Sequence, residues 1–383
     1  MTVIIAEIRD GVPVLIGDMA VFHFGTPVDD GIVMPLSKSI PKIQSAQQKI
    51  MRLNNVFAIG GAGDAATIQK FCYQLREKAE TIRRLEDLRN FLADRPVDFT
   101  TNTDIAGVFS GSADYPATAF KINLRQGLSL NERFQTGKSF VLGEKGTQAV
   151  VARKMRLCDN QLHLDPGNTT KTENSLITIM NHLMLDERGT QAPLNNNYGL
   201  AYKCLWHDGN DFRPIPGCFS IFGDLALQLS ANDASGKIHL NYNWLPGSRS
   251  FFFYTDTGQT VDITVLGEDH LGQKWEVPPL LETSIPLEEV TYSKADITSP
   301  IAPQVSGTAP KSILLCVDVH IHKAGQTSTK VVPVVYFWSL MKYDVPDMNN
   351  FNYDPYLVPD EAIQNLITTA ISKYFPCHDN ISG

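Results

Sequence analysis

Thr2-Val3-Ile4-Ile5-Ala6-Glu7-Ile8-Arg9-Asp10-Gly11-Val12-Pro13-Val14-Leu15-Ile16-Gly17-Asp18 is the stretch on which the fold turns. Apolar and β-branched residues fill 3–6 and 12–16, and Arg9-Asp10-Gly11 between them has the chemistry of a tight turn. The reading is a β-hairpin. Thr2 stands at the free end of its first strand and Asp18 at the end of its second, and antiparallel pairing brings those ends together. A small residue after an initiator Met is the usual requirement for Met removal. With Met1 gone, Thr2 carries a free α-amine beside its own hydroxyl, so one residue holds a nucleophile and its base. Threonine is a weak nucleophile without a base. An α-amine titrates near ~7.7–8.0, so it can take the hydroxyl proton at cellular pH without a histidine. Many chains begin Met-Thr before a strand, and the next sixty residues give this start its meaning.

Lys49-Ile50-Met51-Arg52-Leu53-Asn54-Asn55 leads into Val56-Phe57-Ala58-Ile59 and then Gly60-Gly61-Ala62-Gly63-Asp64. Asp64 is a good helix N-cap, and Ile68, Phe71, Cys72 and Leu75 follow at helical spacing. A buried strand therefore runs through a glycine turn into an amphipathic helix. Free backbone N–H groups in such a turn can hold an oxyanion. The same pattern also serves as a plain strand-to-helix turn.

Order and spacing together say more. The series Thr2, Gly17-Asp18, Lys49-Ile50, Gly60-Gly61-Ala62-Gly63-Asp64 resembles the proteasome β-subunit family. It is also similar to the related peptidase subunit of the bacterial ATP-dependent two-component protease. Both are N-terminal nucleophile (Ntn) hydrolases. The resemblance continues through a second helix marked by Leu85, Leu88 and Leu92, strands over 105–111 and 117–122, a strand-glycine-helix element from Phe140 to Gln148, and a late strand over 200–206 ending at Asp208-Gly209. It covers ~2–210.

The resemblance implies a four-layer αββα Ntn sandwich over 1–212; with the strand-rich remainder read as an additional β-rich domain over 213–383, the chain is α+β. It implies that Thr2 is nucleophile and, through its amine, base. Asp18 and Lys49 correspond to the family's catalytic Asp and Lys, and Gly60 to its oxyanion glycine. The physics suits these roles, because an ammonium near the α-amine lowers its pKa and Asp18 would keep Lys49 charged and fixed. Lys42 competes for the lysine role; the distance from Lys49 to the glycine turn fits better. Val21, Ala58, Ala62 and Ala66 fall where the family receives the residue before the scissile bond. The resemblance also implies a peptide or protein substrate and self-assembly into a homo-oligomer, and it admits an ATPase partner. No cofactor and no metal is called for. Two positions depart from the family: Glu144 stands where a Ser follows the later glycine, and Leu194-Asn195-Asn196-Asn197-Tyr198-Gly199 lacks the acid of the supporting Asp-x-x-Ser-Gly stretch.

Composition bounds the alternatives. The chain has 383 residues, 43% hydrophobic and 19% charged, enough for two domains with ample core. A net charge of −8 and the lack of any Lys/Arg run argue against nucleic acid and against an anionic membrane surface. The 3–5 run is too short for a signal peptide, and no window approaches a membrane span. Cys72, Cys158, Cys204, Cys218, Cys316 and Cys377 form no Cys-x-x-Cys pair, which reads as reduced, cytoplasmic usage.

The second half begins after Arg213-Pro214-Ile215-Pro216-Gly217 and reads as strands over 237–242, 251–254, 260–266, 313–322 and 331–338, a loop over 293–310, and an amphipathic helix over 361–374. Asp318, His320 and His322 share one strand face, which suits a metal in ligand type, but no second cluster closes the site and a polar sheet face is the better reading. Thr136-Gly137-Lys138-Ser139 resembles the end of a phosphate loop, yet Glu132 stands where the first Gly is required. Three functions fit the whole: an N-terminal threonine peptidase acting through an acyl ester on Thr2, an Ntn amidase of a small-molecule amide, and a catalytically inactive assembly subunit.

Overall fold

The computed structural model describes residues 2–21, 45–94, 103–125, 127–143, 151, 162–189, 201–231, 238–268, 271–282, 285–286, 288–291, 312–323, 328–339 and 360–374. The chain is mixed α/β with more strand than helix. Strands β1 (Ile4–Arg9) and β2 (Val12–Asp18) form the expected hairpin, with Arg9 opposite Val12 and Ile4 opposite Gly17. Its two-residue loop has Asp10 at φ 50° and Gly11 at φ 81°. Two left-handed residues in succession match the twist of the flanking strands, and Asp and Gly are the residues that tolerate it.

Short strands β3 (Ala20–Val21) and β4 (Ser45–Ala46) pair with each other. Strands β5 (Ile50–Arg52) and β6 (Phe57–Ala62) lead into helix α1 (Ala65–Glu77), capped by the Asp64 carboxylate, which accepts from the Thr67 N–H at 2.8 Å. Helix α2 (Leu85–Ala93) follows, then β7 (Asp104–Phe109), β8 (Thr118–Asn123), the single turn α3 (Leu130–Arg133), β9 (Phe134–Gly137) and β10 (Ser139–Leu142). Helix α4 (Thr169–Gly189) precedes β11 (Tyr202–His207) and β12 (Phe212–Pro214). These strands make two five-stranded sheets, β10-β1-β2-β11-β12 and β5-β6-β7-β8-β9.

Period-2 alternation decides what each face meets. Phe57 and Ile59 of β6 join Ile68, Phe71, Cys72 and Leu75 of α1 and Leu88 and Leu92 of α2. Ala58, between them in sequence, faces the other sheet, where Ala106, Val108 and Ala119 meet Ile4, Ala6, Leu15 and Leu205. Alanines on the inner face let the two sheets approach closely. The opposite face of the hairpin sheet, with Val3, Ile5, Val14, Ile16 and Trp206, packs on Leu176, Ile179, Met180 and Leu183 of α4 and on the C-terminal half of the chain.

That half contains β13 (Gly217–Ala231), β14 (Ile238–Trp244), β15 (Ser250–Asp256), β16 (Val261–Gly267), β17 (Leu271–Val277), β18 (Ile285–Pro286), β19 (Glu288–Thr291), β20 (Ser312–Lys323), β21 (Lys330–Ser339) and helix α5 (Asp360–Tyr374). Eight of these strands form one sheet, in which the 15-residue β13 runs parallel to β20 and pairs with β15 along its first half and β14 along its second. One face of this sheet, through Phe222, Phe252, Tyr254, Val265 and Cys316, shares a single apolar core with the N-terminal hairpin. The other packs on Ala362, Ile363, Leu366 and Ala370 of α5. The small strand β18 reaches back to pair with β4, Ile285 opposite Ala46. The core is therefore continuous across residues 212 and 213.

Candidate active site

Hairpin geometry puts the start of β1 beside the end of β2. The Asp18 N–H donates to the Val3 carbonyl at 3.1 Å, and the Val3 N–H donates to Asp18 Oδ1 at 2.7 Å. Thr2, half-buried, is the next residue toward the N-terminus. The second carboxylate oxygen, Oδ2, accepts from Lys49 Nζ at 2.8 Å. Asp18 has no exposed surface and Lys49 is 7% exposed, so this ion pair is made in the protein interior. An ionised carboxylate is tolerated there because both of its oxygens are bonded, one to a backbone donor and one to a cation.

Lys49 sits just before β5, and the Gly61 N–H donates to its carbonyl at 3.2 Å. Successive N–H groups of a strand point to opposite sides. The Gly60 N–H therefore points to β7, where Ala106 is its partner across the ladder. What Gly60 supplies is space. A Cβ there would lie 2.6 Å from Ile50 Cγ2, 3.0 Å from the Lys49 carbonyl oxygen and 3.2 Å from Ile4 Cγ2. A Cβ on Gly17 would lie 2.6 Å from the same Ile50 methyl. Two glycines thus let the Lys49 segment lie directly against the hairpin that carries Thr2 and Asp18.

The structure brings Asp18, Lys49 and Gly60 together at Val3 and Ile4, the residues that follow Thr2. The four expected pocket residues are more scattered. Ala58 has no exposed surface and belongs to the core between the sheets, Ala62 is half-buried at the end of β6, and Ala66 is exposed on the first turn of α1. Val21 ends β3, and its side chain lies outside the described residues, as do Met1, Lys42, Glu144 and the 194–199 stretch.

A second buried ion pair went unread in the sequence. Lys203 of β11, opposite Gly17, is 2% exposed; its Nζ donates to Gln48 Oε1 at 2.7 Å and contacts the Asp256 carboxylate at 3.2 Å. Burial pulls the Lys203 ammonium below its ordinary value against the opposing pull of Asp256, and burial raises Asp256 despite Lys203. The Tyr254 hydroxyl and the Gly258 N–H also donate to Asp256, at 3.2 and 2.7 Å. The available signal was a lone cation inside Tyr202-Lys203-Cys204-Leu205-Trp206, a strand with apolar side chains on both faces.

Elsewhere the other sequence candidates have ordinary partners. His320 Nε2 lies 2.9 Å from Asp224 Oδ1, and His322 meets the Thr329 hydroxyl. Among the described residues no three His, Cys, Asp or Glu side chains are grouped to hold a metal ion. Cys72, Cys204, Cys218 and Cys316 are free and buried, and burial pushes the Cys72 and Cys218 thiols up to about 12; Cys158 and Cys377 lie outside the described residues. No helix among the described residues is long and apolar enough to cross a membrane. No protein-family model matches the chain, and no curated protein matches it.

Proposed function

We propose that this chain is an N-terminal threonine hydrolase of the proteasome β-subunit type, cleaving peptide bonds through an acyl ester on Thr2 after Met1 is removed. The observation that supports it is the Asp18 carboxylate, fully buried beside Thr2, with one oxygen on the Val3 N–H and the other on Lys49 Nζ. In this reading the two stacked five-stranded sheets, with α1 and α2 on one outer face and α4 on the other, are the four-layer Ntn sandwich.

The roles follow from charge and distance. The Thr2 α-amine takes the hydroxyl proton as the oxygen attacks the carbonyl, and returns it to the leaving amine. Lys49 holds a positive charge near that amine and favours its neutral form. Asp18 fixes Lys49 and ties it to the backbone of β1. Gly60 lets β6 lie against the Lys49 segment without a side chain between them. Ala62 and Ala66 line an apolar approach for the side chain preceding the scissile bond. A peptide or protein substrate, a homo-oligomeric assembly and an ATPase partner belong to the same proposal, as does a cytoplasmic location. The buried free thiols support a reducing environment.

Intact mass and turnover test it together. The active protein is expected to begin at Thr2. Thr2→Ala is expected to abolish amide hydrolysis while keeping the fold, Thr2→Ser to retain part of it, and a peptide epoxyketone or boronate to attach at Thr2. Unchanged turnover in Thr2→Ala, or activity in protein that retains Met1, would refute the mechanism. Turnover of small amides but not peptides would favour the amidase reading, and a retained Met1 without turnover the assembly subunit.

A further inference from the structure

We propose that Gln48, Lys203 and Asp256 are positioning residues for Lys49, and that through them the C-terminal half holds the site's charge pair in place; this rests on the Thr2 reading. Lys49 does not lie within a long strand. The segment carrying it consists of the two-residue strand β4, then Gln47, Gln48 and Lys49. So short a piece has few ladder bonds of its own, and its placement must come from elsewhere.

Beside its pairing with β3, the bond from the Gln47 N–H to the Met19 carbonyl and the bond from the Gly61 N–H to the Lys49 carbonyl, the segment is held by residues 256–286. Ala46 pairs with Ile285. Gln47 Nε2 donates to the carbonyls of Leu280 and Glu282. The Gln48 N–H donates to the Pro278 carbonyl at 3.0 Å, and Gln48 Nε2 donates to the Gln259 and Val277 carbonyls at 2.7 and 2.9 Å. Gln48 Oε1 accepts from Lys203 Nζ, which Asp256 holds from the end of β15. Both donors and the acceptor of the Gln48 side chain are thereby engaged, and Gln48 is 2% exposed. The peptide bond from Gln48 to Lys49 has little freedom left.

The two ion pairs are thus joined through adjacent residues. Lys49 reaches forward to Asp18 on β2, and Gln48 reaches back to Lys203 on β11 and Asp256 on β15. Among the described residues, charged and titratable groups facing this junction include Asp18 from β2, Lys203 and Cys204 from β11, and Tyr254 and Asp256 from β15. Sub-ångström placement of an acid–base group matters for rate, since a shift of ~1 Å can cost about 100-fold. A support of this kind acts on turnover more than on substrate binding.

Lys203→Met strands the Asp256 carboxylate in the interior, whereas Lys203→Met/Asp256→Leu removes both charges, leaves the Tyr254 hydroxyl and the Gly258 N–H without their acceptor, and is expected to fold with a smaller loss of stability than the single variant. The double variant still leaves Gln48 Oε1 without its donor. Its kcat on a fluorogenic peptide is expected to fall by about tenfold or more with KM within about twofold. The Lys49 side-chain resonance (13Cε/15Nζ, assigned with Lys49→Arg) is expected to shift or broaden. Gln48→Leu, which removes no charge, is expected to do the same and serves if the double variant does not fold. Normal kcat and an unmoved Lys49 resonance in a folded variant would overturn the proposal. If the wild-type protein cleaves neither peptides nor small amides, the Thr2 reading fails, while the Lys49 resonance alone still decides whether this support positions Lys49.

Discussion

Removing one charge from the Asp18–Lys49 pair tests the site by two independent readouts. Asp18→Asn keeps an oxygen for the Val3 N–H and nearly the same volume, but removes the carboxylate charge that faces the Lys49 ammonium, which is 7% exposed. Stranding one member of a buried pair costs about 3–5 kcal/mol. Lys49→Met strands the Asp18 carboxylate, which retains its Val3 bond and can take up a proton, so the lower end of that range applies. Asp18→Asn/Lys49→Met carries no charge and keeps the backbone bond. It is expected to recover most of the loss, giving a coupling energy of at least ~2 kcal/mol. Urea titration of the four proteins, with midpoints compared at constant slope, measures it. Hydrolysis is the second readout. Stability should recover in the double variant and turnover should not, because the charge that biases the Thr2 amine is gone. Additive costs within ~0.5 kcal/mol would show that the two groups do not interact as described. A double variant that regains both stability and turnover would remove the pair from the mechanism.

Three further outcomes are expected. His207 Nδ1 accepts from the Gly209 N–H and Nε2 faces the Asn55 carbonyl, each at 3.1 Å, which fixes the neutral Nε2–H tautomer; burial holds its pKa below the usual 6.5. The unfolded chain therefore binds the proton first, so stability is full above about pH 6.5 and falls as pH drops from there toward the folded pKa; a urea midpoint flat from pH 7.5 to 5 in wild type, or an equal fall in His207→Gln, would contradict this. Gly60→Ala drives a methyl to within 2.6 Å of Ile50 Cγ2 and 3.0 Å of the Lys49 carbonyl, an overpacking cost of about 1–3 kcal/mol that Ile50→Ala should partly relieve, so strictly additive denaturation midpoints would refute the contact. On a fluorogenic peptide panel, cleavage after Leu, Phe or Tyr should exceed cleavage after Arg or Glu, since an apolar side chain beside half-buried Ala62 and exposed Ala66 gains part of the ~1.5–3 kcal/mol of full burial and a charged one finds no partner in either alanine; the reverse order would take these alanines out of the pocket.

The N-terminal third was legible because its signals are local. Asp10-Gly11 set the hairpin turn, alternation set the faces of β1, β2 and β6, and Asp64 set the start of α1. The later strands over 237–242, 251–254, 260–266, 313–322 and 331–338 likewise lie within or overlap β14, β15, β16, β20 and β21. What was not legible depends on distant partners. Strand β13 was not among the expected strands; it carries Gly223 and Asp224 in its middle, where Trp244 packs against the Gly223 backbone and His320 bonds Asp224. Helix α4 was missed although Leu176, Ile177, Ile179, Met180, Leu183 and Met184 recur at helical spacing, because its first turns are a run of Thr, Glu, Asn and Ser. Lys203 and Asp256 lie 53 positions apart, and no spacing rule links a lysine in an apolar strand to an aspartate at the end of another.

Two buried Lys–Asp pairs pose an energetic question that stability alone does not answer. Taking an ammonium and a carboxylate out of water costs several kcal/mol for each ion, and apolar residues of similar volume often serve a fold as well or better. Neither pair is therefore explained by the need to fold. For Lys203 and Asp256 the cost shows directly, since burial lowers the lysine and raises the aspartate, each toward its neutral form. Three groups offset it: Gln48, Tyr254 and the Gly258 N–H, which bond every charge-bearing atom of the pair. The Asp18–Lys49 pair has the Val3 N–H on Asp18 Oδ1, one residue from Thr2. Retaining a charge at that place gives the fold little, and in the proposed mechanism Lys49 serves the Thr2 amine instead. The economical account assigns chemistry to the pair that adjoins Thr2 and support to the pair behind it. The Asp18→Asn/Lys49→Met and Lys203→Met/Asp256→Leu variants separate the two: both should fold, the first without measurable turnover and the second with a kcat lowered but not lost.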